Sequence, residues 1–320
     1  MEMKEKDMKF LTQIYHNKRE SLTKIAKEAG MTRIQAEYSL KKFIDNGIIE
    51  KFLTMFNYGA FGYNVYALML VKMERFSTLR SFTRKLEESS NCISWGESYG
   101  KYDLFTNLIF KDEEDMSNFL SEIISEKNEQ VSDYLIIKPY LSEFYPLKIF
   151  HGKKGPTLPF FSEKIEEKKF SEKDLKMLRE LEKDGRVKII DIAKKVGISA
   201  EMVLHKIKKF ERDKVILGVR TGVRVKKLGY NYSLIFLNIR NLSKNLKEKI
   251  ITFARGEKRV NALVLSLFNP NCVLQIFHKT DDELKEEVKK IKTLMKDEMI
   301  DIDVVLAQEE EKVNTLPFLK

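Results

Sequence analysis

The chain has 320 residues, 43% of them hydrophobic, and a formal net charge of +10. This length allows two to four domains with buried cores. No apolar run reaches the roughly 18 residues of a membrane span, so we expect no membrane-spanning helix. The charged N-terminus lacks the apolar stretch of a signal peptide, so we expect a cytoplasmic protein.

Cysteine and histidine are too few and too scattered to suggest a metal centre. Cys92 and Cys272 are expected to be buried, reduced thiols rather than a disulfide pair. The four histidines form no ligand spacing. We therefore expect neither a metal site nor a cofactor.

Residues 8–53 are predicted to form three short helices, since apolar residues recur there at helical spacing. Gly30 is expected to end the second helix. Thr32 to Gln35 has the form of a capping box that begins the third, with Gln35 reaching back to the amide of Thr32. The apolar stripe of the third helix includes Phe43 and either Tyr38 or Ala36.

A helix, a short glycine-containing turn and a second capped helix predict a helix-turn-helix. The steep crossing pushes the second helix outward, where its first residues can enter a DNA major groove. An ordinary corner between two helices would give the same local pattern.

The pattern of residues 65–138 changes to four strands and two helices in the order βαββαβ. Strands are predicted at Val65–Lys72, near Cys92–Glu97, at 102–110 and at Val131–Lys138. This order predicts a ferredoxin-like sheet with both helices on one face. The other face should be buried by a partner or serve as a binding surface.

The same plan recurs 167 residues later. At this shift Arg19 coincides with Arg186, Ile25-Ala26-Lys27 with Ile192-Ala193-Lys194, and Thr54 with Thr221. We interpret the chain as a tandem duplication of one α+β unit. The predicted domains are a helix-turn-helix domain (1–60), a ferredoxin-like domain (61–148), a Gly/Pro- and Lys-rich linker (149–168), a second helix-turn-helix domain (169–227) and a second ferredoxin-like domain (228–320).

Positive charge concentrates in the first part of each unit. Residues 1–65 carry +3 and residues 170–230 carry +8, whereas residues 66–147 carry −5 and residues 231–320 carry +1. Basic modules of this kind suit a polyanion such as duplex DNA. Lysine-rich helices that are merely solvated are the alternative.

These motifs, in this order, resemble the Lrp/AsnC (feast/famine) family of transcription regulators. The resemblance is carried by Ile192-Ala193-Lys194-Lys195-Val196-Gly197-Ile198-Ser199, Phe210-Glu211 and Leu228-Gly229-Tyr230, by their counterparts in the first unit, and by Gly100-Lys101-Tyr102-Asp103. It implies a winged helix-turn-helix that binds double-stranded DNA as a dimer. It also implies sheet domains that pair and bind a small effector, usually an amino acid.

Two departures from the family bear on this expectation. Family members usually carry one unit per chain, so the sheet domains here should pair within the chain, as a pseudo-dimer, or between chains, as a homodimer or larger. The second unit has Phe268-Asn269-Pro270-Asn271 in place of the glycine and aspartate of the loop. Only Gly100, Tyr102 and Asp103 of the first unit are therefore candidate effector contacts; a plain turn is the alternative.

Candidate DNA contacts lie on the third helix of each unit. In the first unit they are Thr32, Arg33, Gln35, Ser39, Lys41 and Lys42; in the second they are Ser199, Glu201, Met202, His205, Lys206, Lys208, Lys209 and Arg212. Arg33 and Gln35 suit base edges. The lysines and Arg212 of the second unit suit phosphates. Unlike helices favour an asymmetric site with half-sites about 34 Å apart.

Two other functions fit the same fold. One branch resembles siroheme decarboxylases, but Ser98–Phe105 has no histidine where that branch expects one, and the second unit offers only His278. No nucleophile–base pair or phosphate loop is evident, so we expect a non-enzyme with no catalytic residues. A DNA-architectural protein without an effector is the other alternative.

Overall fold

The computed structural model describes residues 3–17, 19–124, 130–150, 157–161, 165–308, 310 and 312–319. Within these ranges no helix combines the length and apolarity needed to cross a membrane. The predicted linker falls partly outside them, at residues 151–156 and 162–164.

The first unit begins with a helical head and continues into a sheet domain. Its elements are α1 (Glu5–Tyr15), β1 (His16–Asn17), α2 (Leu22–Glu28), α3 (Arg33–Asp45), β2 (Ile49–Phe56), β3 (Val65–Met73), α4 (Leu79–Glu88), β4 (Cys92–Tyr99), β5 (Leu104–Phe110), α5 (Glu113–Ile124), β6 (Val131–Ile137) and β7 (Pro139–Phe144). A short strand, β8 (Leu158–Phe161), follows in the predicted linker and pairs with β7.

The second unit repeats this order, without a counterpart of β1 among the described residues. Its elements are α6 (Glu172–Lys183), α7 (Ile189–Val196), α8 (Ala200–Arg212), β9 (Ile216–Val223), β10 (Asn231–Ile239), α9 (Lys244–Gly256), β11 (Val260–Ser266), β12 (Cys272–His278), α10 (Asp281–Met295), β13 (Met299–Ala307) and β14 (Lys312–Val313). The mixed α+β class and the helix-turn-helix and βαββαβ order of both units are as predicted.

The two sheet domains face each other in a sandwich, with their helices outside. Strand order β6-β3-β5-β4 in one and β13-β10-β12-β11 in the other is the antiparallel ferredoxin-like order. The inner faces meet through an apolar layer that includes Leu70, Phe105, Phe236 and Val273. The face that the sequence left open to a partner or a ligand is thus buried by the other unit of the same chain.

The terminal strands exchange between the units. β7 leaves the first unit and pairs with β11 of the second, with Phe144 opposite Ala262. The end of β13 pairs with β4 in return, with Leu306 opposite Tyr99, and β14 extends this pairing. The sequence did not predict β7, because its partner strand lies more than 100 residues away in the chain and local pattern carries no such information.

The helical heads join through their wings. β2 and β9 pair antiparallel, and β1 adds to the outer edge of β9. Leu53 lies opposite Arg220, its own counterpart 167 residues on, and the neighbouring pairs Phe52–Thr221 and Thr54–Val219 mirror each other. A pseudo-twofold axis therefore passes through the Leu53–Arg220 pair.

Residues that are identical in the two units tie each head to the other unit. The Thr54 hydroxyl donates to the carbonyl of Leu181, and the Thr221 hydroxyl donates to that of Ile14 at 2.6 Å. Arg19 donates to the carbonyls of Gly185 and Val187, and Arg186 donates to that of Glu20 at 3.0 Å. These hydrogen bonds explain structurally why the same arginine and threonine occur at equivalent positions in both units.

Candidate nucleic-acid interface

Both candidate recognition helices begin at a well-formed cap. Thr32 accepts from the amide of Gln35 at 3.2 Å, and the Gln35 carbonyl oxygen accepts from the Thr32 amide at 2.9 Å, which is the predicted capping box. Ser199 accepts from the amide of Met202 at 3.2 Å. Each cap satisfies orphan amides and fixes where its helix starts.

The inward face of α3 contains a residue that we predicted to contact DNA. Ser39 is only 3% exposed, and its hydroxyl donates to Asp7 of α1 at 2.7 Å. It shares the buried stripe with Ala36 and Phe43, at the spacing of one helix face. The prediction that Ser39 is exposed was wrong, because a polar residue in this stripe is satisfied by a buried carboxylate.

The second unit uses the equivalent positions in the same way. Lys206, the counterpart of Ser39, places Nζ 2.7 Å from Oδ1 of Asp174, the counterpart of Asp7. Burial alone would raise the pKa of Asp174, but hydrogen bonds from Lys206 and Ser171 hold it below its usual value. Lys206 was predicted to contact phosphate, whereas it is half-buried and its ammonium pairs within the head.

The exposed face of α3 presents little free positive charge. Arg33 Nε donates to Glu37 at 2.8 Å, and Lys42 lies 3.7 Å from Asp7. Lys41 is exposed and has no ion-pair partner among the described residues. The charge of the first head is therefore largely compensated within the head.

Two exposed apolar residues on α3 were not singled out as DNA contacts. Ile34 is 78% exposed and Tyr38 is 72% exposed, four positions apart on one face, while Ala36 is fully buried. This decides between Tyr38 and Ala36 for the core in favour of Ala36. Helical periodicity counted from Phe43 would have indicated the same choice.

The exposed face of α8 is more basic. Glu201, Met202, His205, Lys208, Lys209 and Arg212 are exposed, as predicted. Arg212 Nε donates to Asp213 at 3.1 Å. Lys208 and Lys209 have no ion-pair partner in the part of the chain that is described. These two lysines give the exposed face of α8 its available positive charge.

The loop that we predicted to bind an effector is engaged within the protein. The Asp103 carboxylate accepts from Lys72 Nζ at 2.9 Å and from the Met73 amide at 2.8 Å. Tyr102 is buried in the layer between the sheets. Gly100 is exposed with φ of +119°, a conformation that favours glycine.

The remaining reactive side chains form no active-site constellation among the described residues. Cys92 and Cys272 are free and buried. Both His278 nitrogens are engaged, Nε2 with Ser233 Oγ at 2.8 Å and Nδ1 with the Thr280 carbonyl at 3.2 Å, and burial lowers its pKa. No group of three or more His, Cys, Asp or Glu there could hold a metal ion.

Comparison with known proteins agrees with this architecture. Residues 170–216 match the winged helix-turn-helix DNA-binding family model. The HTH-type transcriptional regulator FL11 of Pyrococcus furiosus is 26% identical over 133 residues, which span 41% of this chain and 86% of that protein. The leucine-responsive regulatory protein of Rhizobium meliloti is 43% identical over 58 residues, 18% of this chain and 37% of that protein.

Similarity to a solved structure extends over both units together. The siroheme decarboxylase NirDL aligns over 99% of this chain and 96% of its own, with a TM-score of 0.62 and 17% identity. At that identity the likeness shows a common fold alone and carries no information about activity. Each matched stretch of the chain is thus similar to helix-turn-helix transcription regulators, among them a leucine-responsive regulatory protein of the Lrp/AsnC type.

Proposed function

We propose that this protein is a sequence-specific transcription regulator that binds duplex DNA through α3 and α8 of one chain. The observation that carries the proposal is that two capped recognition helices are held in one body by the β2–β9 pairing. Helix-turn-helix proteins usually obtain this arrangement from two chains. Here one chain supplies both heads.

The two heads are proposed to contribute differently. Lys208 and Lys209 of α8 are free to neutralise phosphates, which positions a protein without reading sequence. On α3, Tyr38 and Ile34 offer apolar contact to thymine methyl groups. The side-chain nitrogen Nε2 of Gln35 is proposed to donate to a base edge, because the cap uses only the side-chain oxygen. The proposed target is therefore asymmetric.

Binding of labelled duplex across a salt series tests this proposal. Each phosphate that the protein neutralises should lower log K by about 0.9 per decade of salt. A steep salt dependence together with a preference among sequences supports a regulator. Affinity that does not change between low and moderate salt would contradict DNA binding through these lysines.

An amino-acid effector at Gly100, Tyr102 and Asp103 remains a weaker proposal. The Asp103 carboxylate already accepts two hydrogen bonds, so a ligand ammonium group would have to share it. Calorimetric titration with the common amino acids, compared with Asp103→Asn, would detect such a site.

An enzyme that acts on a tetrapyrrole is the second candidate, and the fold shared with NirDL over both units favours it. We place it second because both His278 nitrogens are engaged and Ser98–Phe105 carries no histidine. Incubation with an iron porphyrin, followed by absorption spectroscopy and carbon dioxide release, separates the candidates. Product formation would replace the regulator as the primary function.

A further inference from the structure

Two adjoining cavities lie where the joined wings meet the strands of the sandwich. Their volumes are about 60 Å³ and 130 Å³. Arg220, Tyr232, Gln275 and Glu310 line both, so the cavities are two chambers of one space. A water position needs roughly 10–15 Å³, so the space is large enough for a small molecule.

Arg220 lines both chambers and lies on the pseudo-twofold axis. Its counterpart in the first unit is Leu53, so the second unit alone places a charge here. The guanidinium lies 4.2 Å from the ring centre of Phe144 and 5.8 Å from that of Tyr15. Its Nε is buried and has no hydrogen-bond partner within the described residues. A buried donor of this kind is costly unless an acceptor reaches it.

Glu310, the charged residue that lines both chambers together with Arg220, already has hydrogen-bond donors. The Glu310 carboxylate accepts from Ser94 Oγ at 2.7 Å and from Asn107 Nδ2 at 3.0 Å. Burial raises the pKa of both Tyr66 and Tyr232, so their hydroxyls stay neutral. The two other cations of the larger chamber are paired, Lys51 with Glu182 at 3.1 Å and Arg224 with Glu50 at 2.8 Å. Arg220 is therefore the group that an incoming anion would meet.

The two chambers differ in character. The smaller one has apolar walls that include Leu68, Phe105 and Leu234. The larger one has a more polar lining and extends to the ion pair between Arg224 and Glu50, whose side chains are 32% and 49% exposed. A ligand that enters past this pair would meet Arg220 first and the apolar chamber next.

We propose that this space binds a small organic anion, with its carboxylate on Arg220 and a short apolar tail in the smaller chamber. The site is separate from the Gly100–Asp103 loop, whose residues line neither chamber. It does not depend on DNA binding. Because the wing and both sheets line it, an occupant would join the heads to the sandwich.

The test uses the full chain and the linear carboxylates from acetate to pentanoate, with the corresponding neutral amides as controls. Thermal unfolding and calorimetric titration report binding. The carboxylates should stabilise the protein saturably, with Kd falling about fourfold for each methylene until the chamber is filled. The amides should have no effect, because Arg220 gains no charge partner from them.

Two variants that change the net charge of the space in opposite directions make the test more specific. Arg220→Gln should weaken carboxylate binding about tenfold or more. Glu310→Gln, which removes a like charge from the space, should strengthen it, and this result does not require the Arg220 variant to fold. Arg84→Gln, on the exposed face of α4, should leave binding unchanged.

Three results would overturn the proposal. They are a failure of carboxylates to bind at any attainable concentration, equal binding by amides of equal length, and weaker binding by Glu310→Gln. In each case the assignment of Arg220 as the anion-binding group is wrong.

Discussion

The two helical heads share their internal hydrogen bonds and differ on their exposed faces. Thr54 and Thr221, like Arg19 and Arg186, reach from each unit into the other in the same way. On the candidate recognition helices, the residue of the second unit that corresponds to Tyr38 is His205. The lysines without an ion-pair partner among the described residues are more numerous on α8 than on α3. The comparison teaches that the residues joining the two units are the same in both, whereas the exposed residues of the proposed recognition helices differ.

The largest expected effect comes from the charge of the second head. Lys208→Ala with Lys209→Ala should weaken binding to all sequences alike and make the salt slope less negative by about 1.8, because two phosphates lose their partners. Lys41→Ala in the first head should change the slope by only about 0.9. Fluorescence anisotropy over a salt series measures both.

Lys285→Ala, on an exposed turn of α10, is the matched control and should leave the slope unchanged. If Lys41→Ala and the double variant change the slope equally, the proposed difference in charge between the heads is wrong.

The next effect concerns what the heads share. Arg19→Ala and Arg186→Ala should each lower the free energy of unfolding by about 2 kcal/mol, because each removes charge-assisted hydrogen bonds to carbonyls of the other unit. Urea denaturation followed by circular dichroism gives the values. Arg84→Ala, which loses only an exposed pair with Glu88, should cost less than about 0.5 kcal/mol. A large loss of stability for one arginine variant and none for the other would contradict the claim that both arginines join the units in the same way.

The smallest effect is a pH dependence of the second head. The folded-state pKa of Asp174 is lowered, so its stabilising contribution is complete above the unfolded value of about 3.9 and is lost as pH falls through the folded value. Asp174→Asn should therefore flatten the loss of stability on acidification. The free energy of unfolding of the variant and of the parent is measured between neutral and strongly acidic pH. Parallel profiles would show that Asp174 does not contribute to the pH dependence of stability.

Much of the fold was predictable because its signals are local. Caps such as Thr32 and Ser199, glycine stops and period changes between helix and strand lie within a few residues of one another. The βαββαβ order followed from the same signals. The repeat at 167 residues then predicted two similar units.

The parts that sequence missed depend on distant contacts. Ser39 and Lys206 are polar and lie where a DNA contact would lie, yet Asp7 and Asp174 draw them inward. β7 pairs across units. The space around Arg220 forms only when the wings and both sheets come together, so no local sequence pattern could predict it.

The central claim is that one chain carries two unlike DNA-binding heads. Selection of bound sites from random duplexes, with the parent protein and with Tyr38→Ala and His205→Ala, tests it most directly. We expect a site with two different halves about one helical turn apart, in which each variant relaxes the preference in one half only. A palindromic site, or a change in both halves with either variant, would contradict the account.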